Sequence, residues 1–343
     1  MTLAAVFGLS GTALTASERA LFREAEPAGY VLFARNCSDP DQLRALTASL
    51  RDLAGRDVIV AVDQEGGRVA RLGPPHWPSF PAAAAFAALY SKAPMTAIEA
   101  ARLNAEAIGI MLRDAGITMN FAPVLDLAHE GAHEIVGDRS FGSEPMQAAA
   151  LGRAVLDGLA AAGIAGCIKH LPGHGRCLVD SHCELPTVEA SREELEADFA
   201  PFRSLADRSP AAMVAHVVYS ALDPHRPASA SPSVIGDTIR SDIGFDGLLL
   251  SDDIAMGALT GGSAERARAA VAAGCDLALH CSGDFAEMQA VAARLPPIGQ
   301  QALDRLTRAA AAPETPMTAR EQAAETRDAL LAVGHAGRMK ATS

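Results

Sequence analysis

A chain of 343 residues with 49% hydrophobic and only 20% charged residues has apolar material for one large domain or two ordinary ones, and no window has the composition of a disordered segment. Its net charge of −12 argues against nucleic acid or an anionic membrane as partner, because both are held mainly by Lys and Arg on phosphates. No apolar run is long enough to span a bilayer and the first basic residue is Arg19, which leaves no charged secretory n-region, so the expected location is the cytoplasm.

Short apolar runs alternate with helical patterns along the chain. The predicted strands are Ala4 to Leu9, Gly29 to Phe33, Val58 to Val62, Thr118 to Pro123, Ile164 to Ile168, Ala212 to Val218, Leu248 to Ser251 and Leu277 to His280, eight in all. Between them lie amphipathic or Ala-rich stretches whose starts read as helix caps: Thr15-Ala-Ser-Glu18, Asp39-Pro-Asp-Gln, Ser191-Arg-Glu-Glu194 and Ser263-Ala-Glu-Arg. Strands strictly alternating with helices pair in parallel, and eight such units close into an α/β fold of the (β/α)8 TIM-barrel type. A doubly wound sheet would want a Gly-rich phosphate fingerprint after the first strand, which Gly8-Leu9-Ser10-Gly11 does not supply. The expected division is a barrel domain over 1–300, with 301–343, Ala-rich and charged, as a helical extension packed on or near it.

Barrel enzymes gather their chemistry at the C-terminal ends of the strands. The polar clusters fall there: Asp63-Gln64-Glu65-Gly66-Gly67-Arg68 with Arg71 after the third strand, Asp126 after the fourth, Lys169-His170 after the fifth, His216 in the sixth and Ser251-Asp252-Asp253 after the seventh. Asp138-Arg139-Ser140 adds a basic group. The densest stretch is Lys169 to Pro186, which holds Lys169, His170, His174, Asp180 and His182 in one Gly- and Pro-punctuated loop; packing alone needs one or two such groups. Six cysteines, Cys37, Cys167, Cys177, Cys183, Cys275 and Cys281, form no paired C-x-x-C and read as reduced, mostly buried thiols; no metal or other cofactor is expected.

There is no P-loop, no G-x-S-x-G elbow and no H-E-x-x-H. What remains, strand-end carboxylates, arginines, a lysine and a histidine-bearing loop, suits a hydroxyl-rich ligand such as a sugar, because each hydroxyl needs both donors and acceptors. Retaining cleavage of a glycosidic bond requires a carboxylate nucleophile and an acid for the leaving oxygen. Asp252, at a strand end, is the nucleophile candidate. The loop offers Asp180-Ser181-His182 for the second role, since an aspartate beside an imidazole raises its pKa and fixes its tautomer.

The segments VDQEGGRVARL (Val62 to Leu72), GDRSF (Gly137 to Phe141), KHLPGHG with DSHCELP (Lys169 to Pro186) and SDDIAM (Ser251 to Met256) resemble, in order and spacing, the family 3 glycoside hydrolases, specifically the single-domain bacterial β-N-acetylhexosaminidases of peptidoglycan recycling. The resemblance runs to about Arg294. It implies Asp252 as the nucleophile of a covalent glycosyl-enzyme, His182 oriented by Asp180 as acid and base, and Asp63, Arg71, Arg139, Lys169 and His170 as holders of the N-acetylglucosamine hydroxyls. His174 would shape the loop, and Asp253 would cap a helix or stand as a charge behind the nucleophile. Leu171 replaces a frequent Phe and Asp138 a frequent Glu.

The implied function is a retaining exo-β-N-acetylglucosaminidase acting on a small soluble sugar or muropeptide, with no nucleic acid or membrane partner. The rivals are a phosphorylase on the same scaffold, since a neutral imidazole repels phosphate less than a carboxylate does, a metal-dependent hydrolase built on His170, His182, His216 and Asp252, and a non-catalytic sugar-binding barrel. The Asp252-Asp253 pair could also be read as assisting the substrate's own acetamide, but neighbours on a strand are expected to point to opposite faces.

Overall fold

The computed structural model describes residues 1–179, 184–257, 259–311 and 320–339. Among these, eight parallel strands close into a barrel: β1 (Leu3–Gly8), β2 (Pro27–Leu32), β3 (Ile59–Val62), β4 (Met119–Asn120), β5 (Ala165–Leu171), β6 (Ala211–Val214), β7 (Leu248–Asp253) and β8 (Leu277–His280). Each pairs with its sequence neighbours, and β1 closes the ring on β8 through Ala5 opposite Ala278 and Phe7 opposite His280. The (β/α)8 expectation is met. Two predicted strands are shorter than expected. Only Met119 and Asn120 of the fourth run join the ladder, and the sixth ends at Val214, leaving His216 beyond it, because Val218–Tyr219 turns away to pair with Thr187–Val188.

The helices begin where side chains can satisfy the free N–H groups of a first turn. Thr15 opens α1 (Ala16–Ala25), with Glu18 N donating to its hydroxyl at 3.1 Å and its own N–H donating to Glu18 at 2.8 Å. Asp39 opens α2 (Pro40–Ala54), and Ser191 with Glu194 opens α6 (Arg192–Leu205). After α3 (Ala83–Tyr90), α4 (Pro94–Asp114) packs along α5 (Pro145–Ala161). A π-helical segment, Val234–Asp242, takes the outer position after β6, and α7 (Ser263–Ala273) and α8 (Phe285–Ala292) finish the ring. Gly262, not Ser263, holds the cap position of α7.

Strand periodicity sorts the core into two shells. Ala4, Val6, Ile59, Ala61, Met119, Cys167, Ala211, Leu248, Leu250 and Leu277 fill the barrel, whereas Phe7, Tyr30, Leu32, Val60 and Val62 face the helices. The N-terminal mouth is shut by α9 (Gln300–Ala310), whose Leu306 and Ala309 join the interior cluster. The last helix, α10 (Arg320–Met339), lies on α4, where the buried Arg327 donates to Asn104 Oδ1 at 3.0 Å and its guanidinium sits 5.6 Å from the Phe80 ring centre. Among the described residues no helix is long and apolar enough to cross a membrane, and Cys37, Cys167, Cys177, Cys275 and Cys281 are free thiols.

Candidate active site

At the C-terminal mouth a cavity of about 340 Å³ opens above the barrel's interior side chains. Phe121, Met213, Leu279 and Cys281 give it apolar walls; Asp63, Arg71, Arg139, Lys169, His170, His174, Asp252 and Asp253 give it charge and hydrogen-bonding groups.

The first contributor is the segment after β3. Gln64 staples it: its backbone exchanges hydrogen bonds with the Asn120 side chain at 3.0 and 2.9 Å, while its side-chain oxygen accepts from Arg71 N at 2.9 Å and Leu72 N at 3.0 Å. A small ribbon of Gln64–Gly66 and Val69–Ala70 results, and it brings Asp63 and Arg71 to the same wall. The turn needs its glycines. Gly66 and Gly67 have φ of 99° and 58°, and a Cβ on Gly66 would stand 2.3 Å from Pro81 O.

The second contributor is β5, whose ladder to β6 shifts register between Ile168 and Leu171. Such an irregularity re-aims side chains at a strand end, and both Lys169 and His170 line the cavity. Lys169 Nζ lies 2.7 Å from Asp63 Oδ1 and 2.7 Å from Glu65 Oε1. Arg71 Nη2 reaches Asp63 Oδ2 at 3.1 Å, and Arg139 grips Glu65 with two bonds of 2.8 Å. The charges therefore alternate as Arg71, Asp63, Lys169, Glu65, Arg139. Burial opposes ionisation of Asp63, but Lys169 and Arg71 hold its carboxyl well below the usual range; burial likewise works against Lys169, and Asp63 and Glu65 keep it protonated. Arg71 and Arg35 both contact the Phe33 ring, 5.0 and 4.8 Å from its centre.

A buried carboxylate, Asp126, organises the histidines. Its Oδ2 accepts from His170 Nδ1 at 2.7 Å, and its Oδ1 accepts from the N–H groups of His170 at 3.1 Å and His174 at 2.7 Å. Burial again opposes ionisation, yet the His170 imidazole and these bonds keep Asp126 ionised. With Nδ1 committed, His170 has Nε2 left for a ligand. His174 is pushed down to about 4 by burial and by repulsion from His170, so it is neutral near pH 7.

Asp252 and Asp253 end β7, and both line the cavity. The expectation that they face opposite ways fails, because the pairing with β8 shifts register between Leu250 and Asp253. Their environments separate them instead. Asp253 Oδ1 accepts from Ala255 N and Cys281 N at 3.0 Å each, yet burial, with the neighbouring Asp252 charge adding to it, raises its pKa. At Asp252, burial is outweighed by His170, His216, the Asp253 N–H at 2.8 Å and His174, and its pKa is lowered. His216 supports this end of the strand: it bonds through Nε2 to Asp253 O at 3.1 Å and through Nδ1 to Ser229 Oγ at 2.6 Å. The carbonyl can only accept, so Nε2 carries the proton, and burial keeps the ring neutral.

All six named residues within the described chain, Asp63, Arg71, Arg139, Lys169, His170 and Asp252, line this one cavity. Asp180 and His182 lie outside the described residues. The sequence alone assigns no role to Glu65 and Asp126, although the alternation Asp63, Glu65 is a cue, since residues two apart on an extended chain share a face. Among the described residues no cluster of three His, Cys, Asp or Glu could hold a metal ion.

The family model for the "Glycosyl hydrolase family 3 N terminal domain" matches residues 5–309. A beta-hexosaminidase of Alkalilimnicola ehrlichii is 41% identical over 308 residues, 88% of this chain and 87% of its own length. Among solved structures, NagZ from Neisseria gonorrhoeae in complex with N-trifluoroacetyl-D-glucosamine superposes with a TM-score of 0.88 at 33% identity, covering 96% of this chain and 98% of that one. A family 3 β-N-acetylglucosaminidase from Paenibacillus gives 0.83 at 31%, covering 95% of this chain and 66% of that one.

Proposed function

Because the chain belongs to glycosyl hydrolase family 3, we propose that the cavity binds one terminal N-acetylglucosamine and that the enzyme is a retaining exo-β-N-acetylglucosaminidase. The observation that carries this is the convergence of Asp252 with Asp63, Arg71, Arg139, Lys169 and His170 on a single small cavity. About 340 Å³ is near the lower end of the 300–1,000 Å³ typical of ligand sites, suited to one sugar ring. Arg71 Nε is buried without a partner among the described residues, which is a donor a sugar oxygen would satisfy.

In the proposed reaction an Asp252 oxygen attacks the anomeric carbon as the glycosidic oxygen leaves with a proton from His182, whose ring Asp180 orients. Water then attacks the same carbon, His182 takes its proton, and the Asp252 carboxylate is released with net retention. The lowered pKa of Asp252 supports the nucleophile role and the raised one of Asp253 argues against sharing it. The substrates are small cell-wall muropeptide fragments in the cytoplasm, and α9 and α10 belong to a C-terminal extension, 301–343, of the 1–300 barrel domain.

A chromogenic β-N-acetylglucosaminide run beside the matching β-glucoside tests the assignment. Preference for the N-acetyl sugar by at least about a hundredfold in kcat/KM is expected, on the scale of discrimination that site hydrogen bonds supply. Equal turnover of both would overturn it. Product analysis separates hydrolysis from the phosphorolytic alternative: free N-acetylglucosamine in the presence of phosphate is expected, and its 1-phosphate would reverse the choice.

A further inference from the structure

Outside the cavity, a second buried carboxylate grips the loop that follows β5. Asp198, on α6, is 1% exposed and does not line the cavity. One of its oxygens accepts from Arg176 Nε at 2.6 Å, and the other is bonded to His129 Nε2 at 2.8 Å. Arg176 lies in the loop after β5, and His129 in the long segment after β4. Arg176 also donates through Nη2 to Glu194 O at 3.0 Å, so the loop is tied to the same helix twice.

The neighbouring contacts narrow the loop's freedom further. Gly173 lies against Asp198, where a Cβ would come within 2.8 Å of the Asp198 Cβ, and Tyr219 donates its hydroxyl to Gly173 O at 2.8 Å. His133 N donates to Cys177 O at 2.8 Å. The chain from Gly173 to Cys177 is thus fixed from several sides just before Asp180 and His182. An ion pair whose carboxylate is buried adds little net stability over well-packed apolar residues, so what Asp198 contributes here is geometry.

We propose that Asp198 is a positioning residue for glycoside cleavage: by clamping Arg176 and His129 together it fixes the path of residues 173–177, from which the sequence continues to Asp180 and His182. This rests on the reading of His182 as acid and base. A displacement of about 1 Å at a catalytic group can cost roughly a hundredfold in rate, which sets the size of the expected effect.

The test measures kcat/KM of the full-length enzyme on aryl β-N-acetylglucosaminides of graded leaving-group acidity and on a disaccharide. His182→Ala should lose most on the poor leaving groups. Asp198→Asn and Arg176→Gln should show the same signature in weaker form, about 10- to 100-fold on the disaccharide and less than about threefold on the most activated aryl glycoside. Arg176→Lys, keeping the charge but not the two-pronged geometry, should fall between Arg176→Gln and the parent. Arg176 is partly exposed, so Arg176→Gln carries the test where Asp198→Asn fails to fold. A purely structural role would lower the thermal midpoint and scale every leaving group alike; that result, with His182→Ala still leaving-group dependent, overturns the proposal alone. A His182→Ala variant with no leaving-group dependence overturns the reading of His182 and this proposal with it.

Discussion

The two mouths of the barrel each hold a network of alternating charges, and the one at the C-terminal mouth lines a cavity. At the N-terminal mouth Arg240 Nη2 binds Asp276 at 2.9 Å, and Arg305 binds Asp276 at 3.1 Å and Asp246 at 2.6 Å. There α9 supplies Arg305 and lies over the interior, and Asp276 Oδ2 also accepts from Leu249 N at 2.9 Å, so the donors and acceptors satisfy one another. At the C-terminal mouth the same residue types line about 340 Å³ of space, and the buried Arg71 Nε–H has no partner among the described residues. A charge network is therefore no sign of a site in itself. What distinguishes the upper one is hydrogen-bonding capacity left over for a ligand, beside a carboxylate kept ionised.

Substitutions at the two mouths should separate activity from stability. The largest effect is expected for Asp252→Asn, with kcat/KM down by at least about a thousandfold and the thermal midpoint little changed, because in the proposed mechanism the carboxylate forms the adduct but bears no packing load. An active Asp252→Asn beside a dead Asp253→Asn would show that the wrong neighbour was chosen. Lys169→Met should lose both properties. It leaves Asp63 and Glu65 facing each other, a break that costs about 3–5 kcal/mol for buried pairs, along with roughly a hundredfold in kcat/KM. Calorimetry and steady-state kinetics on one preparation check it; an unchanged midpoint would mean that the network is not strained by losing its central cation.

Arg305→Met should do the reverse. Roughly 2 kcal/mol of stability should go, less than for a fully buried pair because Asp246 is largely exposed, while kcat/KM per folded molecule stays within about twofold. Loss of turnover in a well-folded Arg305→Met would erase the contrast between the mouths.

The smallest effect is a pH dependence. The folded protein holds His174 at about 4 against 6.5 for the free side chain, so between those values the unfolded chain binds a proton that the folded one refuses. The stabilisation is complete above about pH 6.5 and lost as pH falls toward 4, on the order of 3 kcal/mol at most. Asp63 and Asp126, held below their usual 3.8, add a further loss only at lower pH. Denaturation midpoints at several pH values should show a shallower slope for His174→Asn than for the parent; identical slopes would remove His174 from the effect.

The sequence disclosed the barrel well because eight short apolar runs, as expected of strands buried on both faces, alternate with amphipathic or Ala-rich helical stretches. Strand ends were harder. The convergence of Asp252 with Asp253, and of Lys169 with His170, depends on register shifts that no local pattern encodes. Asp63, Arg71, Arg139, Lys169 and His170 stand out in the sequence by their place after the strands, but their role of holding the sugar comes only from the resemblance. Glu65 and Asp126 went unassigned since their roles exist only once Lys169, Arg139 and His170 are brought to them from distant strands. Asp198 carried no sequence signal at all, being one acidic residue among several on a helix.

The central claim is that Asp252 bonds covalently to the sugar. A 5-fluoro N-acetylglucosaminyl fluoride, which slows release of the adduct, followed by digestion and mass spectrometry, tests it most directly. One sugar increment on the peptide bearing Asp252, absent from Asp252→Asn, is the predicted result. No increment, together with tight inhibition by a thiazoline mimic of the acetamide-derived intermediate, would contradict the claim.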